Sequence, residues 1–178
     1  MTRYVAFLRA INVGGRTVTM ERLRALFTAL GLAEVETFIA SGNVVFSAPA
    51  GDAEALERRI ERHLQEQLGF PVATFLRTTA EVAAAARHQP FPPAEVEGQV
   101  LYVLFLPSAP TPEAQRKLLA LRNEVDDFHV HGREVYWLAR KQLSESTVTG
   151  AHLEKALGMP ATNRNLTTVR KLAAKHPP

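Results

Sequence analysis

Apolar positions along the chain alternate between runs suited to strands and stretches spaced for helices. Tyr4-Val5-Ala6-Phe7-Leu8 is apolar almost throughout, as expected of a central strand. Residues 20–30 turn to helical spacing, with Met20, Leu23, Leu26, Phe27 and Leu30 on one face, Thr19 as N-cap and Gly31 as stop. Val35 to Ala40 and Val44 to Ser47 flank Ser41-Gly42-Asn43, which predicts a tight hairpin. Asp52 opens a second helix with Leu56, Ile60, Leu64 and Leu68 inward, closed by Gly69, and Val72 to Arg77 gives a fourth strand. The order strand, helix, strand, strand, helix, strand is the split pattern of ferredoxin-like folds.

An alanine-rich helix (about Ala80 to Arg87) leads into His88-Gln-Pro-Phe-Pro-Pro-Ala-Glu-Val-Glu-Gly98, where Pro90, Pro92 and Pro93 mark a linker. The first pattern then partly returns. Tyr102-Val103-Leu104-Phe105-Leu106 repeats Tyr4 to Leu8 with one substitution, and a helix with Leu118, Leu119 and Leu121 follows Pro112. Phe128 to Val130 and Glu134 to Leu138 flank His131-Gly132-Arg133, which aligns Phe38, Gly42, Val45 and Phe46 with Phe128, Gly132, Val135 and Tyr136. Two helices, roughly 149–157 and 163–175, are expected to end the second half in place of a clear final strand. The fold expected is therefore α+β, with two ferredoxin-like-related subdomains, 1–87 and 99–178, joined by the linker 88–98 and related by a diverged internal duplication.

Charge changes this picture by its distribution. The formal net charge is +3, but residues 1–30 carry +4, residues 139–178 carry +5 and the stretch between carries −6. Ends folded together would make one positive surface suited to an anionic partner. The absence of cysteine excludes a disulfide scaffold, thiol chemistry and cysteine-based metal sites. No apolar run is long enough to span a membrane, and the opening segment is not patterned as a secretory signal, so a cytoplasmic protein is expected.

The loop after the first strand is the leading place for chemistry. Arg9 ends the strand, and Asn12, Gly14 and Gly15 lead through Arg16 towards the helix near Thr19. Glycines allow backbone N–H groups to turn towards an anion, which a helix N-terminus also favours. The loop matches neither the Walker nor the Rossmann glycine pattern. At the other end, Thr162 or Asn163 is expected to cap the last helix and place Arg164 and Asn165 in its first turn, where an Arg opposes the helix dipole. His129 and His131 share a strand face, a spacing that permits metal binding, yet the sequence shows no third ligand. Ser41 and Ser146 lack identifiable His–Asp partners. Glu54, Glu57 and Glu61 beside Arg58, Arg59 and Arg62 suggest a solvated helix face. The aromatic pattern expected of an RNA-recognition sheet is missing, so nucleic acid is only weakly supported.

These residues resemble the bacterial domain of unknown function 1697 family. The resemblance rests on Arg9-Ala10-Ile11-Asn12-Val13-Gly14-Gly15, on Met20, on Thr37-Phe38-Ile39-Ala40-Ser41-Gly42-Asn43-Val44-Val45-Phe46, and on Thr162-Asn163-Arg164-Asn165-Leu166-Thr167-Thr168-Val169. Departures from the family pattern are Ala10 for glycine, Ala40 for glutamine, Leu166 for tryptophan and Thr147 for lysine. The resemblance implies two α+β subdomains and no established activity. The sequence reading is a cytoplasmic protein binding an anionic, phosphate-bearing ligand, such as a nucleotide, in a cleft between subdomains. Arg9, Asn12, Gly14, Gly15, Ser41, Asn43, Arg164 and Asn165 are its expected ligand-binding residues, with no metal and no cofactor. A transferase-like enzyme without a recognisable motif and a protein-docking scaffold are the alternatives, and no catalytic residue is assigned.

Overall fold

Strand β1 (Thr2–Leu8) lies inside a four-stranded antiparallel sheet, as its continuous apolar run requires. On one side it pairs with β3 (Asn43–Ala48), which in turn pairs with β2 (Ala33–Thr37); on the other it pairs with β4 (Thr74–Thr78). The strand order β2-β3-β1-β4, with α1 (Met20–Ala29) after β1 and α2 (Ala53–Leu68) after β3, is ferredoxin-like. The computed structural model describes residues 1–9, 11, 17–39, 42–140 and 147–178.

The helices begin and end where side-chain chemistry dictates. The Thr19 hydroxyl accepts the Arg22 N–H at 3.0 Å, and the Asp52 carboxylate accepts the Ala55 N–H at 3.1 Å. Gly69 closes α2 in the left-handed region at φ 82°, its N–H donating to the Gln65 carbonyl. Leu23, Leu26 and Phe27 of α1 and Ile60 and Leu64 of α2 pack on Tyr4, Ala6, Leu8, Val44, Phe46 and Leu76. The Tyr4 and Phe46 rings stack at 5.6 Å. Glu57 is not part of a wholly solvated face: its carboxylate accepts the Leu76 N–H at 3.0 Å and so satisfies a donor on the outer edge of β4.

The second sheet has the same design. Its order is β6-β7-β5-β8, from β5 (Val100–Phe105), β6 (Asp126–His131), β7 (Glu134–Ala139) and β8 (Thr162–Asn165). Leu118 of α5 (Pro112–Leu119) and Leu153 and Leu157 of α6 (Gly150–Leu157) cover Leu104, Val135 and Trp137. The Trp137 indole N–H donates to buried Asp126 at 2.7 Å, and Asn123 donates to the other oxygen of that carboxylate at 3.2 Å.

Two sequence expectations are corrected. Residues 162–165 form a strand, because β5 has a free edge that this segment pairs along, from Tyr102↔Asn165 to Phe105↔Thr162. The last helix, α7 (Leu166–Lys175), therefore starts after Asn165 rather than after Thr162 or Asn163. The two compact units are 1–83 with 172–178, and 84–171, so the division falls within α3 (Thr79–Arg87) and α7. The segment 88–98 belongs to the second unit and contains a single helical turn, α4 (Pro93–Val96). Finally, Tyr4 pairs with Phe46 and Tyr102 with Trp137, so Phe46 corresponds to Trp137, one residue beyond the Tyr136 that the sequence aligns with it. Among the described residues, no helix is long and apolar enough to cross a membrane.

Candidate functional site

The end of β1 is where the sequence motifs of the first unit meet. The Leu8 N–H donates to the Gly42 carbonyl and the Arg9 N–H to the Ala73 carbonyl, both at 2.9 Å, so Arg9 leaves the sheet between the hairpin and β4. Gly42 adopts φ 79°, a conformation that glycine takes without steric cost. A Cβ there would lie 2.6 Å from Ile11 Cγ2 and 3.2 Å from Leu8 Cβ. The glycine thus lets the chain after Arg9 pack directly on the hairpin. Ile39, in the same loop, has φ 56° and is 46% exposed, an unusual backbone for a β-branched side chain.

Three cations belong to this end of the sheet. Arg9 follows β1, Arg24 of α1 donates to the Thr37 hydroxyl at 3.1 Å, and Lys175 of α7 places Nζ 5.5 Å from the centre of the Phe38 ring. Lys175 and its neighbour His176 belong to the first unit despite their position at the end of the chain. His176 lies 3.5 Å from Glu36; burial pushes its pKa below the ordinary histidine value, against the opposing pull of that carboxylate.

Asn43 has a structural role here. It is buried, its side-chain amide donates to the Phe38 carbonyl at 2.9 Å, and its own carbonyl accepts the Phe38 N–H. Asn12, Gly14, Gly15, Arg16 and Ser41 lie outside the described residues, as does Ser146. Arg164 and Asn165 belong to the second unit.

Arg164 faces inward from β8 opposite Val103, rather than from a helix start. Its guanidinium donates to the Thr162 hydroxyl at 2.9 Å and the Asn163 carbonyl at 2.8 Å, and burial pushes its pKa down to about 10. It stays charged at neutral pH. Asn165 accepts the Thr167 N–H at 2.9 Å and so caps α7. The first sheet has an arginine in the matching place: Arg77 of β4, opposite Val5 and 1% exposed, donates to the Leu76 carbonyl at 2.9 Å. That repeat of position favours an architectural role for both arginines.

His129 and His131 share a face of β6, and the fold supplies the third histidine that the sequence did not show. His88, just past α3, brings its ring to theirs, with one nitrogen from each of the three within 4.8 Å of the others. The only sequence signal was its place at the head of the proline-rich segment.

A shallow cavity of about 300 Å³ lies elsewhere in the first unit, lined by Tyr4, Gly31, Ala48, Asp52 and Arg59 among others. It opens beside the start of β1, away from the Arg9 end, and Arg59 is bound there to the Leu30 carbonyl.

Comparison with known proteins supports the architecture. The model of a family described as a protein of unknown function (DUF1697) matches residues 1–136. The conserved bacterial protein SP0830 from Streptococcus pneumoniae is similar in fold, with a TM-score of 0.69 and 22% identity over 98% of each chain. No curated protein sequence matches the chain.

Proposed function

The chain belongs to the DUF1697 family, whose function is unknown, and we propose from its own residues that it binds an anionic, phosphate-bearing ligand at the Arg9 end of the first sheet. The observation that carries this reading is that Arg9 leaves β1 at the end of the sheet where Arg24 reaches Thr37 and Lys175 reaches Phe38, beside the hairpin that Gly42 and Asn43 shape. Cations from β1, α1 and the end of α7 give charge-assisted donors for phosphate oxygens. The strained, exposed Ile39 fits a loop shaped for something other than its own stability. Asn12, Gly14, Gly15 and Ser41 are assigned to this site from the sequence alone. Cytoplasmic nucleotides and sugar phosphates are the ligand classes proposed. No reaction is assigned.

A thermal-shift panel of pyrophosphate, nucleotides and sugar phosphates, at low and moderate salt, tests the reading. A ligand at about 100 times its Kd adds about 2.7 kcal/mol of stability, a rise in Tm of roughly 5–10 °C for a chain this size. Arg9→Gln should remove that rise while leaving the chain folded, as circular dichroism checks. Absence of stabilisation by every phosphate compound, with the protein folded, would overturn the proposal.

A further inference from the structure

The β6–β7 hairpin presents His129 and His131 from alternate positions on one strand, so both imidazoles rise from the same face. Across the register His129 faces Tyr136 and His131 faces Glu134, the pair that closes the turn at Gly132 and Arg133. His88 arrives from a different element. Its N–H donates to the Ala84 carbonyl, continuing α3 by one residue, and the Tyr136 hydroxyl donates to the Ala85 carbonyl at 2.8 Å. That bond ties the end of α3 to β7 and fixes where His88 can reach.

The three rings are unusually close. His88 and His131 stack with centroids 3.9 Å apart and planes at 20°, and His88 and His129 at 5.2 Å and 29°. Tyr136 and Phe91 flank the group, at 5.1 Å from His88 and 6.4 Å from His129. His88 Nε2 is buried without a hydrogen-bond partner, a condition that calls for an explanation in a native structure. Three neighbouring imidazoles gain little from each other when neutral and repel when protonated. A cation that accepts their lone pairs accounts for both the closeness and the unpaired nitrogen.

We propose that His88, His129 and His131 bind one divalent transition-metal ion, of the class that prefers imidazole nitrogen, with zinc as the leading occupant. Three neutral imidazoles with a fourth position left open are the donor set of an open zinc site. Tetrahedral zinc with bonds of about 2.0–2.1 Å needs its nitrogens about 3.3 Å apart, against the 4.8 Å within which they lie now. Closing that gap takes ring rotations that turn the stacked planes so their lone pairs converge. His131, exposed near the hairpin turn, has the room to make them. Glu134 pairs with His131 across the hairpin and shares its face of the sheet. The site is independent of the anion site proposed above.

The test uses the full chain without an affinity tag, stripped of metal. Titration with Co²⁺ followed by visible absorption, and with Zn²⁺ by calorimetry, should give one ion per chain. His131→Ala and His88→Ala should each weaken binding about tenfold or more, at least as much as loss of a second-shell contact does, while His63→Gln leaves it unchanged. Circular dichroism confirms folding; if His88→Ala does not fold, the exposed His131→Ala decides alone. No binding by the unaltered chain, or equal binding after His131→Ala, would overturn the proposal.

Discussion

The Tyr136 hydroxyl donates to the Ala85 carbonyl at 2.8 Å, joining the middle of β7 to the helix that follows the first sheet. The bond is buried, and burial together with Glu134 pushes the phenol pKa well above its ordinary value, so the hydroxyl keeps its proton at any physiological pH. Tyr136→Phe removes the donor and leaves a buried carbonyl unpaired, at a cost of about 1–3 kcal/mol. Chemical denaturation should show that loss, and Zn²⁺ affinity should fall as well, because His88 is placed by the same helix end. Unchanged stability and affinity would show that the bond does not position His88.

Gly42→Ala should be among the most damaging small substitutions in the chain. The left-handed backbone costs an alanine roughly 1–2 kcal/mol, and the added Cβ would meet Ile11 Cγ2 at 2.6 Å. Forcing buried Ile11 aside adds about 1–3 kcal/mol. A double-mutant cycle with Ile11→Ala separates the two effects. The steric part should vanish in the double mutant and the backbone part should persist, giving clear non-additivity. Additive effects would mean that Ile11 and Gly42 are not in contact.

His176 gives the pH prediction. Its pKa is lowered in the folded chain, chiefly by burial, with Arg3 and Lys175 acting in the same sense and Glu36 opposing them. The unfolded chain, with a histidine near the ordinary value of 6.5, therefore takes up its proton first as pH falls. Stability from this group is full above that pH and is lost on acidification towards the lowered folded value. Proton NMR of the imidazole should give a midpoint below 6.5, lower still in Glu36→Gln. A midpoint above that value would reverse the assignment and mean that the Glu36 ion pair outweighs burial.

Most of the architecture was legible because its elements obey local rules. Thr19, Asp52 and Gly69 act at the helix ends where their side chains and backbone preferences put them. The β8 strand was not legible: Thr162-Asn163-Arg164-Asn165 is polar throughout, and what makes it a strand is pairing along β5, a contact distant in sequence. The two hairpins align one residue differently in the structure than in the sequence because their glycines do different work. Gly42 ends a loop beside Leu8, whereas Gly132 opens the β6–β7 turn; the carbonyl bound by Leu106 is that of Arg133, matching the Gly42 carbonyl bound by Leu8. Of the expected site residues, Arg9 directly follows β1, Asn43 bonds Phe38 across the hairpin, and Arg164 donates to the Asn163 carbonyl of its own strand. His88 could not be paired with His129 and His131 from spacing, since roughly forty residues separate them along the chain.

The proposed anion site is tested most directly by a crystal structure of the full chain grown with inorganic pyrophosphate. The account predicts an ordered anion held by the Arg9 guanidinium beside the loop that runs from Phe38 to Asn43, and its loss in Arg9→Gln crystals grown the same way. An anion bound only elsewhere, or an Arg9 side chain turned away from an unaltered hairpin with no anion beside it, would contradict it.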